Sequence, residues 1–264
     1  MSEPLLLEIR DGGAHVTFNR PDVRNAITRE MLAALADFLS AIEGDCRVRY
    51  LVFRGTGEHF AAGGDVTGFR ETLAQPPGER RRAYERRLMA NADPFLLLSR
   101  VSVPVITVTR GAVAGAGLLF ALAADICIAA DDSFFVFSHA RLGLPLDLGL
   151  SWYLPRVVGW RQARALTLLS ARCDAAQALA LGIVGEVLPG ADVDTRVEQV
   201  QKIFRNGPRE AFRLSKRLLD RSLDTTLPEQ LEGEARAVGE AVAHPDFVEG
   251  VSAFLENRKP RFAE

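Results

Sequence analysis

Thiols are scarce in this sequence: 264 residues contain 3 cysteines, Cys46, Cys127 and Cys173. Their odd number and wide spacing imply neither a disulfide framework nor a zinc site, and such sparing use fits a reducing cytoplasm. Histidine is equally sparse, and His15, His59, His139 and His244 lie too far apart along the chain to suggest a metal site. Charge of one sign is also missing. The 32 Lys and Arg nearly balance 34 Asp and Glu, for a formal net charge of −2. That gives no reason to expect nucleic acid or an anionic membrane as the main partner. No apolar run is long enough to span a bilayer, since the stretch from Val101 to Ala130 is interrupted by Pro104, Arg110, several glycines and Asp125. Met1 to Arg10 lacks a basic segment followed by an apolar one, so no signal peptide is expected. There is no fixed-period repeat.

What is present reads as an ordinary globular chain, 48% apolar and 25% charged, long enough to bury one large core or a core with a smaller appendage. The spacing predicts a hairpin from Leu5–Ile9 and His15–Phe18 around Asp11-Gly12-Gly13. It predicts a helix through Met31, Leu32, Leu35, Leu39 and Ile42 capped by Thr28, and a strand over Tyr50–Phe53. Further on come a helix over 78–99 after Pro76-Pro77, a strand over 105–108, an apolar helix over 117–124, and strands over 126–129 and 134–137. Short buried strands alternating with helices point to α/β architecture with crossover connections. From Val193 onward only amphipathic helices follow, so residues 1–192 read as an α/β core and 193–264 as a helical region. The arginines at 80, 81, 82, 86 and 87 are interleaved with Glu79 and Glu85, which favours a solvated helix face over a phosphate site.

Two segments of small residues carry the chemistry: 59–66, His-Phe-Ala-Ala-Gly-Gly-Asp-Val, and 111–117, Gly-Ala-Val-Ala-Gly-Ala-Gly. Each lies between an expected strand and an expected helix. Side chains this small let a ligand rest on the main chain, and N–H groups at a helix start attract negative charge. Either turn alone would also be explained by close packing. The second has the spacing G-x-x-x-G-x-G with no acidic partner downstream, which argues against a dinucleotide loop.

Taken together, Asn19-Arg20-Pro21 through Asn25-Ala26, Phe60 to Asp65, Gly111 to Gly117 with Ala124-Asp125-Ile126, and the tail Phe254 to Lys259 resemble, in order and spacing, the enoyl-CoA hydratase/isomerase (crotonase) superfamily. The resemblance covers nearly the whole chain and is weakest from Thr67 to Arg100. It implies a spiral of ββα units, a helical C-terminal region that makes a homotrimer or hexamer, and an acyl-CoA thioester as ligand, with no metal and no cofactor beyond that coenzyme A. It also implies that the N–H groups of Gly64 and Ala116 grip the thioester oxygen, and that Asp65 fixes the turn. Ala62 and Val66 would lie along the adenine and pantetheine path. Arg24 and Lys259 would meet the nucleotide, or serve simply as surface cations.

The same resemblance marks a departure. Hydratases need two carboxylates to hold and activate a water; the resemblance puts Leu119 and His139 at the matching positions, where they would contact the substrate without supplying an acid. Efficient hydration by that mechanism is therefore not expected. Asp147 falls where isomerases of the superfamily, and the similar ring-1,2-epoxyphenylacetyl-CoA isomerases, carry a single carboxylate. Leu144, Leu146, Leu148 and Leu150 flank it, an apolar setting suited to a proton shuttle. The alternative is that Asp147 caps the helix starting near Gly149. His139 could bond substrate, orient Asp147 or act as a base, or simply line the pocket. Phe69, Phe95, Phe134 and Phe137 could line an acyl pocket or pack in the core. The expectation is a delta3-delta2 or ring-type enoyl-CoA isomerase. Hydrolysis, epoxide-ring isomerisation, dehalogenation and acyl-CoA binding without turnover are the alternatives.

Overall fold

The computed structural model describes residues 3–65, 70 and 72–262. Val66 and Phe69, named above, lie outside these. The hairpin forms as expected, β1 (Leu5–Arg10) running antiparallel to β2 (Gly13–Phe18). Asp11 and Gly12, both at positive φ, make its tight turn. α1 (Arg29–Ile42) starts at Thr28, whose hydroxyl accepts the Met31 N–H at 3.3 Å. Such a cap is worth about 1 kcal/mol.

β3 (Tyr50–Gly55), β4 (Val105–Thr109), β6 (Ile126–Ala130) and β9 (Glu186–Leu188) then join β2 in parallel, giving a six-stranded sheet in the order β1-β2-β3-β4-β6-β9. A second sheet holds β5 (Ala112–Ala114), β7 (Phe134–Val136) and β8 (Arg172–Asp174). The chain alternates between the two sheets: β4 enters the first and β5 the second before α4 (Ala116–Leu122), and β6 and β7 repeat the step. This is the expected spiral of ββα units. β5, β8 and β9 are each three residues long and too short to show a period in the sequence.

The helix expected over 78–99 is two helices, α2 (Pro77–Ala90) and α3 (Asp93–Leu98). Pro94 explains the break, because it has no N–H to continue the hydrogen-bond ladder of the preceding helix and its ring would clash with the preceding turn. α5 (Leu150–Val158), α6 (Trp160–Leu168) and α7 (Ala175–Ala180) precede the C-terminal helices.

The main core lies under the first sheet, with Phe120 of α4 at its centre, 4.8 Å from the Phe53 ring, 5.2 Å from Phe18 and 5.7 Å from Phe95. Phe95 and Phe137 are thus buried packing residues, not pocket walls. The sheet's other face is covered by α8 (Val193–Asn206): Val193, Val197 and Val200 pack on Tyr50, Val52 and Ile106. The division at residue 193 is therefore one of secondary structure, since α8 belongs by packing to the sheet. α9 (Arg209–Ser222), α10 (Leu227–Val242) and α11 (Pro245–Leu255) follow, leaving Leu219, Leu227, Val238 and Phe254 exposed. No helix among the described residues is long and apolar enough to cross a membrane.

Candidate active site

The spiral brings the two small-residue segments side by side. Ala61 forms a parallel bridge with Val113, and Val113 pairs in turn with Phe135. Gly64, Ala116 and Ser138 each lie three residues beyond these paired positions, so successive turns of the spiral deliver them to one place.

Glycine permits the contact. Gly63 and Gly115 take φ of +102° and +50°, and a Cβ on Gly115 would lie 2.9 Å from the Gly63 α-carbon. A Cβ on Gly64 would meet nothing within 4 Å among the described residues, so its main chain faces the cavity. Asp65 N–H donates to Ile27 O at 2.9 Å, and Ala114 N–H to Ala61 O at 2.9 Å. Between them, neither the Gly64 nor the Ala116 N–H has an acceptor among the described residues. Ala116 is also the first residue of α4, where the helix leaves its N–H groups free. Two unpaired donors beside a space is the arrangement an oxyanion needs.

Three residues hold this arrangement, and sequence reasoning assigned them no role in it. Asn25, fully buried at φ +56°, accepts the Arg20 N–H at 2.8 Å and donates to Thr56 O at 2.9 Å and His59 O at 2.6 Å. Arg20 donates to Ala26 O at 2.6 Å and to Asp65 Oδ2 at 3.1 Å, so Asp65 fixes the turn and does not line the cavity. His59 Nδ1 accepts the Ala112 N–H at 3.1 Å, tying the first segment to the second. Asn25 and Arg20 stood inside the quoted signature; the fold that gives them their work could not be read from it.

The donors open onto a cavity of about 1,100 Å³, counting the space at its mouth. Leu32, Leu144 and Leu148 make apolar wall, and α2 contributes Tyr84, Arg87 and Leu88, with its C-cap Asn91, at spacings of three and four along one face. Arg81, Arg82 and Arg86 are solvated as expected, Arg81 pairing with Glu85 at 2.8 Å, but Arg87 turns toward the cavity. Among the described lining residues Asp147 is the one carboxylate. Its side chain caps no helix: the N-cap of α5 is Gly149, and there is no side-chain cap bond. Instead Asp147 Oδ1 lies 3.5 Å from His139 Nε2. The next residue, Leu148, has φ +49°, a strained setting for a non-glycine that bends the loop at the carboxylate.

The remaining expected site residues divide. Ala62 lines the cavity. Arg24 is exposed, and its carbonyl accepts the Ala62 N–H at 3.0 Å, which keeps its loop against the first segment. Lys259 is exposed in the tail and is not among the lining residues. Leu119 is fully buried in the core, where an apolar side chain has every reason to stay, and does not reach the cavity. Phe134 is also absent from the cavity wall, stacking instead under Arg172 at 3.9 Å.

Residues 8–264 match the family model described as enoyl-CoA hydratase/isomerase. The chain is 35% identical over 257 residues to a protein described as a probable enoyl-CoA hydratase from Rhodobacter capsulatus, covering 97% of this chain and 96% of that one. It is 34% identical to the 1,2-epoxyphenylacetyl-CoA isomerase of Escherichia coli, covering 99% of each. The crystal structure of an enoyl-CoA hydratase/isomerase from Marinobacter aquaeolei superposes with a TM-score of 0.90 at 33% identity over 100% of both chains.

Proposed function

The chain belongs to the enoyl-CoA hydratase/isomerase family, and from that premise we propose that it is an acyl-CoA isomerase that moves a carbon–carbon double bond into conjugation with the thioester. The observation that carries this reading is the single carboxylate, Asp147, on a cavity that also holds two unpaired backbone N–H groups.

The thioester oxygen binds between the Gly64 and Ala116 N–H groups. Each such donor stabilises the developing oxyanion by about 2.7–4 kcal/mol. Asp147 takes a proton from the α-carbon of a 3-enoyl thioester, the electron pair passes into the enolate, and the same carboxyl returns the proton at the γ-carbon. Substrate and product differ only in where the double bond lies, and the coenzyme A of the substrate is the only carrier used. Arg24 meets the nucleotide end. The Escherichia coli relative suggests a ring-bearing acyl group as a narrower form of the same proposal. The exposed apolar residues of α9 to α11 favour a homotrimer or hexamer.

The test follows a 3-enoyl-CoA to its conjugated 2-enoyl isomer with wild type and Asp147→Asn side by side. Conversion by wild type that collapses in the variant supports both the reaction and the base. Equal rates in both would remove Asp147 from the chemistry.

A further inference from the structure

His139 stands beside the carboxylate, and the proton shuttle assigns it no step. Its side chain is 9% exposed, with Nε2 3.5 Å from Asp147 Oδ1, whereas Asp147 is 30% exposed. The other ring nitrogen, Nδ1, is buried and without a partner among the described residues. These two surroundings select the tautomer. A hydrogen on Nδ1 would bury a donor with no acceptor, at about 1–3 kcal/mol, and would turn the Nε2 lone pair onto a carboxylate oxygen. A hydrogen on Nε2 faces that oxygen instead.

The backbone keeps the pair together. Leu144 N–H donates to His139 O at 3.0 Å and Gly143 N–H to Ala140 O at 3.1 Å, so the loop carrying Asp147 folds back on the short 3-10 turn His139–Leu142. Leu150 N–H donates to Asp147 O at 2.9 Å and closes the loop from the other side. What the backbone leaves free is rotation of the carboxylate itself.

We propose that His139 is a positioning residue for Asp147: its Nε2–H holds Oδ1 and leaves Oδ2 to carry the proton. The inference rests on the proton-shuttle reading. A carboxylate serving two carbons of one substrate must present the same oxygen to both. Oδ2 accepts the α-proton, the carboxyl O–H returns it at the γ-carbon, and His139 keeps its own hydrogen throughout. Without that donor the partly exposed carboxylate turns toward water and the productive geometry is lost. Catalytic hydrogen bonds that are long without substrate often tighten once it binds.

The experiment compares wild type, His139→Leu, His139→Gln and Asp147→Asn on a 3-enoyl-CoA, and reads the tautomer of His139 by ¹⁵N NMR of the labelled wild type. A misplaced base costs about 10²-fold in rate. His139→Leu is therefore expected to lower kcat by about that factor with KM little changed, and His139→Gln, whose amide can donate from a similar reach, to recover most of it. The NMR spectrum should show hydrogen on Nε2. A Gln variant as slow as the Leu variant would overturn the proposal, because the imidazole would then be moving protons itself. So would wild-type rates in both, or hydrogen on Nδ1. The NMR readout needs no turnover, so hydrogen on Nδ1 overturns the inference for any substrate and even where His139→Leu fails to fold. Failure of the shuttle reading shows separately, as an active Asp147→Asn.

Discussion

Gly117 packs directly against the main chain of Ala61: a Cβ placed on Gly117 would fall 2.4 Å from the Ala61 carbonyl oxygen and 3.1 Å from the Ala61 Cβ. That oxygen already accepts the Ala114 N–H. The contact therefore sets how closely the helix bearing Ala116 approaches the segment bearing Gly64. Gly117→Ala must push α4 away, because the obstacle is backbone and not the end of a flexible side chain. Overpacking of this kind costs about 1–3 kcal/mol. The expected outcome is a modest fall in Tm and a larger proportional loss of kcat/KM, since the two donors separate. A variant that loses stability but keeps full activity would show that the spacing of the pair is not set here.

Ala116 offers a way to remove one donor while keeping the helix. It is the first residue of α4, the position where proline's missing N–H and fixed φ are tolerated. Ala116→Pro should leave far-UV circular dichroism close to wild type and lower kcat by about 10²–10³-fold, the range for losing one oxyanion donor. Gly64→Ala is the companion control. Its N–H remains and its Cβ would meet nothing within 4 Å among the described residues but would enter the cavity, so stability should hold, substrate binding should weaken, and kcat at saturation should fall far less than in the proline variant. Similar losses in the two would argue against a role for the Ala116 N–H.

Much of this organisation was legible in the sequence, for identifiable reasons. Long elements with a clear period, such as α1 and α8, declare themselves because burial repeats along them. The two small-residue segments are local signals, but Gly64, Ala116 and Asp147 are singled out through the resemblance to the family, which matches them by order and spacing. The pairing of Ala61 with Val113 is a contact across turns of the spiral and leaves no local mark. His59 shows the same limit, since its role depends on the Ala112 N–H, 53 residues away. Phe95 and Leu119 were ambiguous for the opposite reason. An apolar residue looks the same in sequence whether it lines a pocket or fills a core, and only the fold puts both of these in the core.

Asn25 concentrates the support of the site in one buried side chain. It accepts one backbone N–H and donates to two carbonyls, one of them on His59. Asn25→Ala leaves those groups without a partner, at about 1–3 kcal/mol for each one kept from water. It also asks alanine to hold φ +56°, a further 1–2 kcal/mol or about that. The expected loss is several kcal/mol in urea unfolding. Asn25→Asp should be no milder, because a carboxylate cannot donate and would face the Thr56 and His59 oxygens. Stability near wild type in Asn25→Asp would contradict this hydrogen-bond assignment.

His15 makes the fold sensitive to acid at a point remote from the cavity. It sits in β2, nearly buried, edge-on to the Tyr50 ring at 5.9 Å, with Nε2 unpartnered among the described residues. Burial first, then the nearby charges of Arg10 and Arg54, holds its pKa below the ordinary 6.5, with Glu8 opposing. The folded state therefore binds this proton less readily than the unfolded chain. Stability from the neutral ring is fully present above 6.5 and is lost as pH falls below it, because protonation then pulls the equilibrium toward the unfolded state. Thermal unfolding of wild type should show Tm declining from pH 8 to pH 5, over a range where ordinary carboxylates are still largely ionised. His15→Leu removes the titrating group, keeps an apolar contact with Tyr50, and should flatten that part of the profile whatever it does to Tm at pH 8. If the decline survives the substitution unchanged, the acid sensitivity belongs to another group and His15 is only a packing residue.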